Sequence, residues 1–366
     1  MERLNDRRRS LHLDLMKCVA MLIMPALHAA YHLEFEGFFS PVYPAEAVSA
    51  LLGILYNFVP GAFLFCLGCG VVLTRHGEPR ELAERGGKLI LLGLALNMLR
   101  FTPFYLLKGF LLLDMAGFSR AWLWLVGSDV LPFAGLSFLV FAFARRHELP
   151  DWVVLGFGVF CAAGQMLLPV PFMTGMLGHL LGNFLFVDGG ASYFPFLSWI
   201  IFPCLGYFYQ SRLGESEHPV RFHLILGLSC AALLTATVAV LKRRGQWRRR
   251  YLQWGEMEFR MDFPTAWIVS LITGIWLSAA YFLSSLVKGE KLRGFISACA
   301  RLVTSFYCVH WLVLMYGLLF RKLRRKPGKI HSAGGFFAVC AALTVISALV
   351  TKLWSCVHSY RKDHIF

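Results

Sequence analysis

Charged residues are scarce in this chain: they make up 16% of its 366 residues, against about 25% in an ordinary water-soluble domain. Polar tracts, heptads and Gly-x-y repeats are also missing, which excludes the disordered, coiled-coil and fibrous classes. A Gly-rich phosphate loop, a G-x-S-x-G elbow and an H-E-x-x-H zinc motif are absent as well, and no metal is expected. No long linker interrupts the chain. What fills it is apolar, with 57% hydrophobic and 15% aromatic residues and a mean hydropathy of +0.60. That composition predicts an all-α polytopic integral membrane helix bundle, one domain over residues 1–366 with a basic cytoplasmic segment at 1–12.

The 36 Lys and Arg exceed the 21 Asp and Glu, for a net charge of +15. They sit in short clusters between apolar runs, as membrane-flanking loops do, and form no continuous face for nucleic acid. Of the ten cysteines, Cys18, Cys161, Cys204, Cys230, Cys299, Cys308 and Cys340 lie inside apolar stretches and read as packing residues. Cys66 and Cys69 form C-x-x-C, but in so apolar a helix they too read as packing, not as a redox or metal pair.

A spanning helix needs roughly 20 apolar residues to cross a hydrocarbon core about 30 Å thick. Ten stretches qualify: 13–33, 45–73, 86–107, 121–144, 151–171, 194–211, 221–241, 265–287, 294–320 and 333–357. Two shorter ones, 104–118 and 172–188, read as interfacial or re-entrant. Arg3, Arg7, Arg8 and Arg9 precede the first span, and the connection at 34–44 has no Lys or Arg, so the N-terminus is expected in the cytoplasm. Ten spans would leave the basic runs 242–250 and 321–326 outside, whereas an eleventh at 172–188 would bring both in. Both runs read as anchors for anionic lipid. The Arg-rich start also resembles a secretory signal, but Lys17, His28 and the length of the stretch favour an uncleaved first span.

Any chemistry must lie among the helices, where ionisable groups are costly and mark sites. Lys17 and His28 are 11 residues apart, about 20° past three turns, so they share one face of the first helix about 16 Å apart along its axis. Asp14, one turn earlier, can pair with Lys17, and His32 continues the seam. The seam is either a reaction site or a strip of helix-to-helix hydrogen bonds. His310 lies deep in the ninth span within Ser305-Phe-Tyr-Cys-Val-His310, with Tyr307 one turn earlier to orient the imidazole or donate a proton. Asp129 either orients a histidine or caps the fourth helix. Pro195, Trp199 and Pro203 suggest an interfacial start to a kinked helix, with Trp199 at headgroup depth.

Together these residues resemble the membrane-bound acyltransferase 3 family. Leu13, Asp14, Lys17 and His28 fill its opening signature, Leu-Asp-x-x-(Arg/Lys), then ten residues, then His. Phe58 to Gly68, Asp129 to Leu136, Phe194 to Trp199 and Ser305 to His310 are similar to later segments of that family and of its heparan-α-glucosaminide N-acetyltransferase relatives, and they spread over nearly the whole chain. The heparan-type relatives usually carry Asn where His28 stands, which tilts the resemblance toward the acyltransferase 3 side.

The resemblance implies transfer of an acyl group, in first place acetyl, from cytoplasmic acyl-CoA to a hydroxyl or amine of a carbohydrate or glycolipid, with O-acylation ahead of N-acylation, in a bacterial-type inner membrane. His28 is the expected general base, since a desolvated imidazole suits that task. His310, with Tyr307 and Ser305 behind it, would bind the acceptor or the oxyanion, and Asp129 would assist. Lys17, Arg7, Arg8 and Arg9 would meet the CoA phosphates, with Asp14 and Trp199 supporting the site. Membrane lipids are the expected surroundings, nucleic acid is not a partner, and a homodimer is left open. The rival readings are a proton-coupled transporter or flippase using the same His, Asp and Lys, and a non-catalytic membrane scaffold.

Overall fold

The computed structural model describes residues 10–32, 45–103, 105–106, 125, 127–165, 182, 184–185, 193–246, 261–323 and 333–365. Among the described residues every regular element is a helix: α1 (Leu11–His32), α2 (Ala45–Leu73), α3 (Pro79–Arg100), α4 (Val130–Arg146), α5 (Asp151–Gly164), α6 (Phe196–Trp199), α7 (Ile201–Glu215), α8 (Pro219–Arg243), α9 (Phe263–Leu286), α10 (Glu290–Leu323) and α11 (Ala333–Ile365). The expected helix bundle is present.

Helix starts follow local chemistry. Prolines stand in the first turns of α3, α8 and α9, where the missing N–H has no intrahelical partner to lose. The Asp129 side chain caps α4 by accepting from the Val130 N–H at 2.7 Å, and Asp262 caps α9 by accepting from the Thr265 N–H at 3.0 Å. α6 and α7 follow each other directly through Ile200, whose backbone stays in the helical region, with Pro203 in the first turn of α7.

Small residues set which helices touch, because burying apolar surface drives little association within lipid and close backbone approach must supply the contact. A Cβ on Gly206 would lie 1.9 Å from the Phe65 carbonyl oxygen, and one on Gly68 would lie 1.9 Å from that of Pro203, so α2 and α7 cross backbone to backbone. Gly86 meets Gly135 and Gly93 meets Pro132 in the same way, which zips α3 antiparallel to α4. α1 and α10 run parallel: Ser297 Oγ donates to Asp14 at one end, and His28 meets His310 at the other.

Among the described residues five helices are long and apolar enough to cross a bilayer, namely Leu11–Ala29, Pro219–Arg243, Phe263–Leu286, Glu290–Phe320 and Gly334–Val357. Asn57–Leu73 and Asp151–Gly164 are shorter apolar helices. A multi-pass membrane protein follows, and five of the ten expected spans meet this measure among the described residues. On α8 only His223 and Leu241 are buried, leaving an apolar outer surface suited to lipid. Arg7, Arg8 and Arg9 lie outside the described residues, as do nearly all of 104–118 and 172–188, on which ten or eleven spans turned.

Candidate active site

The polar residues of α1 and α10 meet because the two helices run in step. Asp14 and His28 are fourteen positions apart on α1, and their partners Ser297 and His310 are thirteen apart on α10. His28 Nδ1 lies 2.7 Å from His310 Nε2, and His310 Nδ1 lies 3.1 Å from the Phe306 carbonyl oxygen. A carbonyl only accepts, so His310 carries its proton on Nδ1. With His310 uncharged, its Nε2 accepts from His28 Nδ1–H, and the lone pair of His28 falls on Nε2. His310 is fully buried, while the ring of His28 lies 4.3 Å from that of Trp311, tilted by 31°, and lines a cavity. A positioned imidazole with a fixed basic nitrogen is what proton abstraction requires.

That cavity has apolar walls from α1, α2 and α10, including Met21, Met24, Val59 and Pro60. Its polar lining comes from His28, Asp129, Tyr193, Trp199, Tyr307 and Trp311. The α3–α4 zipper delivers Asp129. Its Oδ1 caps α4, while its Oδ2 accepts from Arg100 and, at 2.6 Å, from the Tyr307 hydroxyl. Arg100 also donates to Asn97 at 2.8 Å, and its guanidinium lies 4.3 Å from the ring centres of Phe101 and Trp311. Asn97 in turn donates to the Gly127 carbonyl at 3.0 Å, which holds the segment leading into Asp129.

A second cavity gathers Lys17, Arg85 and Arg301 with Ser10, Asp14 and Thr304. Phe63 and Val303 line both cavities, so the two abut at that wall. Three cations beside a polar mouth suit a phosphorylated ligand.

The seam of α1 therefore faces two adjoining cavities, with Lys17 in one and His28 in the other. His28 and His310 are brought together directly. Tyr307 does not reach an imidazole through its hydroxyl, which goes to Asp129; its ring meets His310 edge-on at 5.4 Å. Asp129 performs the capping role and holds Arg100 and Tyr307. Ser305 is on neither cavity wall. Trp199 is 1% exposed, its ring packed beside Phe194 and Phe202.

Sequence reading passed over Arg100 and Asn97, although polar residues three apart in the apolar run 86–107 are the signal that singled out Lys17. It also passed over a second buried cluster. Ser10 Oγ lies 2.7 Å from His12 Nδ1, His12 Nε2 lies 3.1 Å from the Tyr209 hydroxyl, and that hydroxyl lies 2.8 Å from His223 Nε2. His223 Nδ1 ends the chain on the Pro219 carbonyl at 2.7 Å, and its ring stacks on Tyr281 at 3.7 Å. This cluster ties the start of α1 to α7, α8 and α9. His12 had been grouped with the basic segment at 1–12.

Neither the curated proteins nor the solved structures contain a match to the chain. Residues 9–242 match the family described as heparan-alpha-glucosaminide N-acetyltransferase, catalytic. This is the heparan-type side of the resemblance, not the acyltransferase 3 side that His28 had favoured, and the stretch matched runs from just before Ser10 to the end of α8. The chain belongs to the heparan-alpha-glucosaminide N-acetyltransferase catalytic family, a family of membrane acetyltransferases.

Proposed function

We propose that this protein is a membrane-embedded acetyltransferase that carries an acetyl group from acetyl-CoA to an amine or hydroxyl of a carbohydrate or glycolipid. The observation that carries this reading is the chain from the cavity-lining His28 through His310 to the Phe306 carbonyl, beside a second cavity lined by three cations. The donor enters the second cavity, where Lys17, Arg85 and Arg301 meet the CoA phosphates. Its thioester reaches the wall at Phe63 and Val303, and the acceptor occupies the cavity of His28. A family named for N-acetylation supports placing an amine ahead of a hydroxyl.

His28 Nε2 takes the proton from the acceptor as the acceptor's lone pair attacks the thioester carbon. The carbonyl electron pair moves onto oxygen. Collapse of that intermediate breaks the carbon–sulfur bond, and the proton held by His28 passes to the departing sulfur, so CoA leaves as the thiol and His28 is neutral again. His310 positions the base. Asp129, with both oxygens engaged, acts as a positioning residue for Tyr307 and the cavity wall and makes no covalent step.

The test is labelled acetyl-CoA incubated with membranes carrying the protein, followed by identification of the labelled product. His28→Ala is expected to abolish transfer while the protein still folds and inserts. Full activity in that variant would remove His28 from the mechanism, and absence of CoA release from the wild-type protein would remove the enzyme reading.

A further inference from the structure

We infer that Trp199 supplies the hydrogen bond that holds the oxyanion formed during acetyl transfer, an assignment that rests on the acetyltransferase reading above. His310 was expected to bind either the acceptor or the oxyanion, but both its ring nitrogens are engaged, one with His28 and one with Phe306. The Tyr307 hydroxyl is spent on Asp129, and His28 Nδ1 is spent on His310. Trp199 differs. It is 1% exposed, it lines the cavity of His28, and its indole Nε1 is buried with no hydrogen-bond partner among the described residues.

A buried donor left without a partner is unfavourable and uncommon in native proteins, and such groups often serve a ligand. An indole nitrogen can only donate, so its partner must be an acceptor atom. The ring is held by Phe194 at 4.9 Å and Phe202 at 5.5 Å, on the α6–α7 path. A rigid donor in an apolar cavity needs no reorganisation when charge appears, which is the condition for strong stabilisation of an oxyanion. In the reaction the carbonyl π pair of the thioester becomes a lone pair on oxygen. The Trp199 N–H donates to that oxygen while His28 holds the acceptor's proton, and the hydrogen bond relaxes when the C=O re-forms and CoA leaves.

The experiment replaces Trp199 with benzothienylalanine, which keeps the ring's size and removes the N–H, with Trp199→Phe as the second variant. Acetyl transfer and acceptor-independent CoA release are both followed, because water attacking the thioester forms the same oxyanion. The expected result is a fall in kcat of about 10²–10³-fold with both KM values within about twofold of wild type. An unchanged kcat, or a loss confined to the acceptor KM, overturns the assignment. Wild-type protein that releases no CoA in either assay overturns the acetyltransferase reading and this assignment with it. Wild-type release matched by the substituted protein overturns the Trp199 assignment alone.

Discussion

Arg100, the last residue of α3, is ion-paired with Asp129, the residue that caps α4, and both are buried. The pair closes the antiparallel zipper begun by Gly86 and Gly135, and Tyr307 joins it from α10. Removing one partner leaves the other charge buried. Arg100→Leu or Asp129→Leu alone is expected to destabilise the protein by about 3–5 kcal/mol, and the double variant by less than either. Thermal unfolding in detergent checks this. Single variants as stable as wild type would mean that the pair carries no structural weight.

His310 acts through His28. His310→Phe fills the same space but leaves His28 Nδ1 without its acceptor and frees the ring to turn. Transfer is expected to fall about 100-fold, the scale on which a misplaced catalytic group is felt, with the KM for acetyl-CoA little changed. Steady-state kinetics on the purified variant decides it; wild-type kcat would show that His28 needs no orienting partner.

The cations of the second cavity are expected to act on donor affinity. Each of Lys17→Met, Arg85→Met and Arg301→Met removes a charge-assisted contact of about 1.5–3 kcal/mol, raising the KM for acetyl-CoA about 10–100-fold. Added salt should raise the wild-type KM and affect the variants less. Binding that ignores both the substitutions and ionic strength would put the donor elsewhere.

At the α2–α7 crossing, Gly206→Ala sets a Cβ against the Phe65 carbonyl with no flexible side chain to give way. Backbone must shift, so a loss of at least about 1–3 kcal/mol is expected, seen as a lower melting temperature and poorer yield. Gly214→Ala is the control, since nothing lies within 4 Å of its would-be Cβ. Equal behaviour of the two variants would contradict the close crossing.

Much of the site was legible because ionisable residues inside apolar helices are conspicuous: Lys17, His28, His310, Tyr307 and Asp129 all line or adjoin a cavity wall. Their partners were not legible. Spacing along α1 aligns Lys17 with His28, but only the packing of α2 and α10 between them divides their surroundings into two cavities. Trp199 read as interfacial because Trp favours headgroup depth; that its ring packs beside Phe194 and Phe202 was visible only in the tertiary structure. Arg100 carried the right signal, a charge in an apolar run, yet its significance depends on a residue 29 positions away.

The sequence by itself determined that the chain is helical, that it lies in a membrane and that its polar residues share a face of α1, because composition and a repeat of 3.6 residues per turn are local properties. Tertiary structure alone decided that residue 28 meets residue 310 and that residue 100 meets residue 129. The second meeting depends on where Gly86, Gly93 and Gly135 let the backbones of α3 and α4 touch, and the first joins residues 282 positions apart, which no local property of the chain can specify.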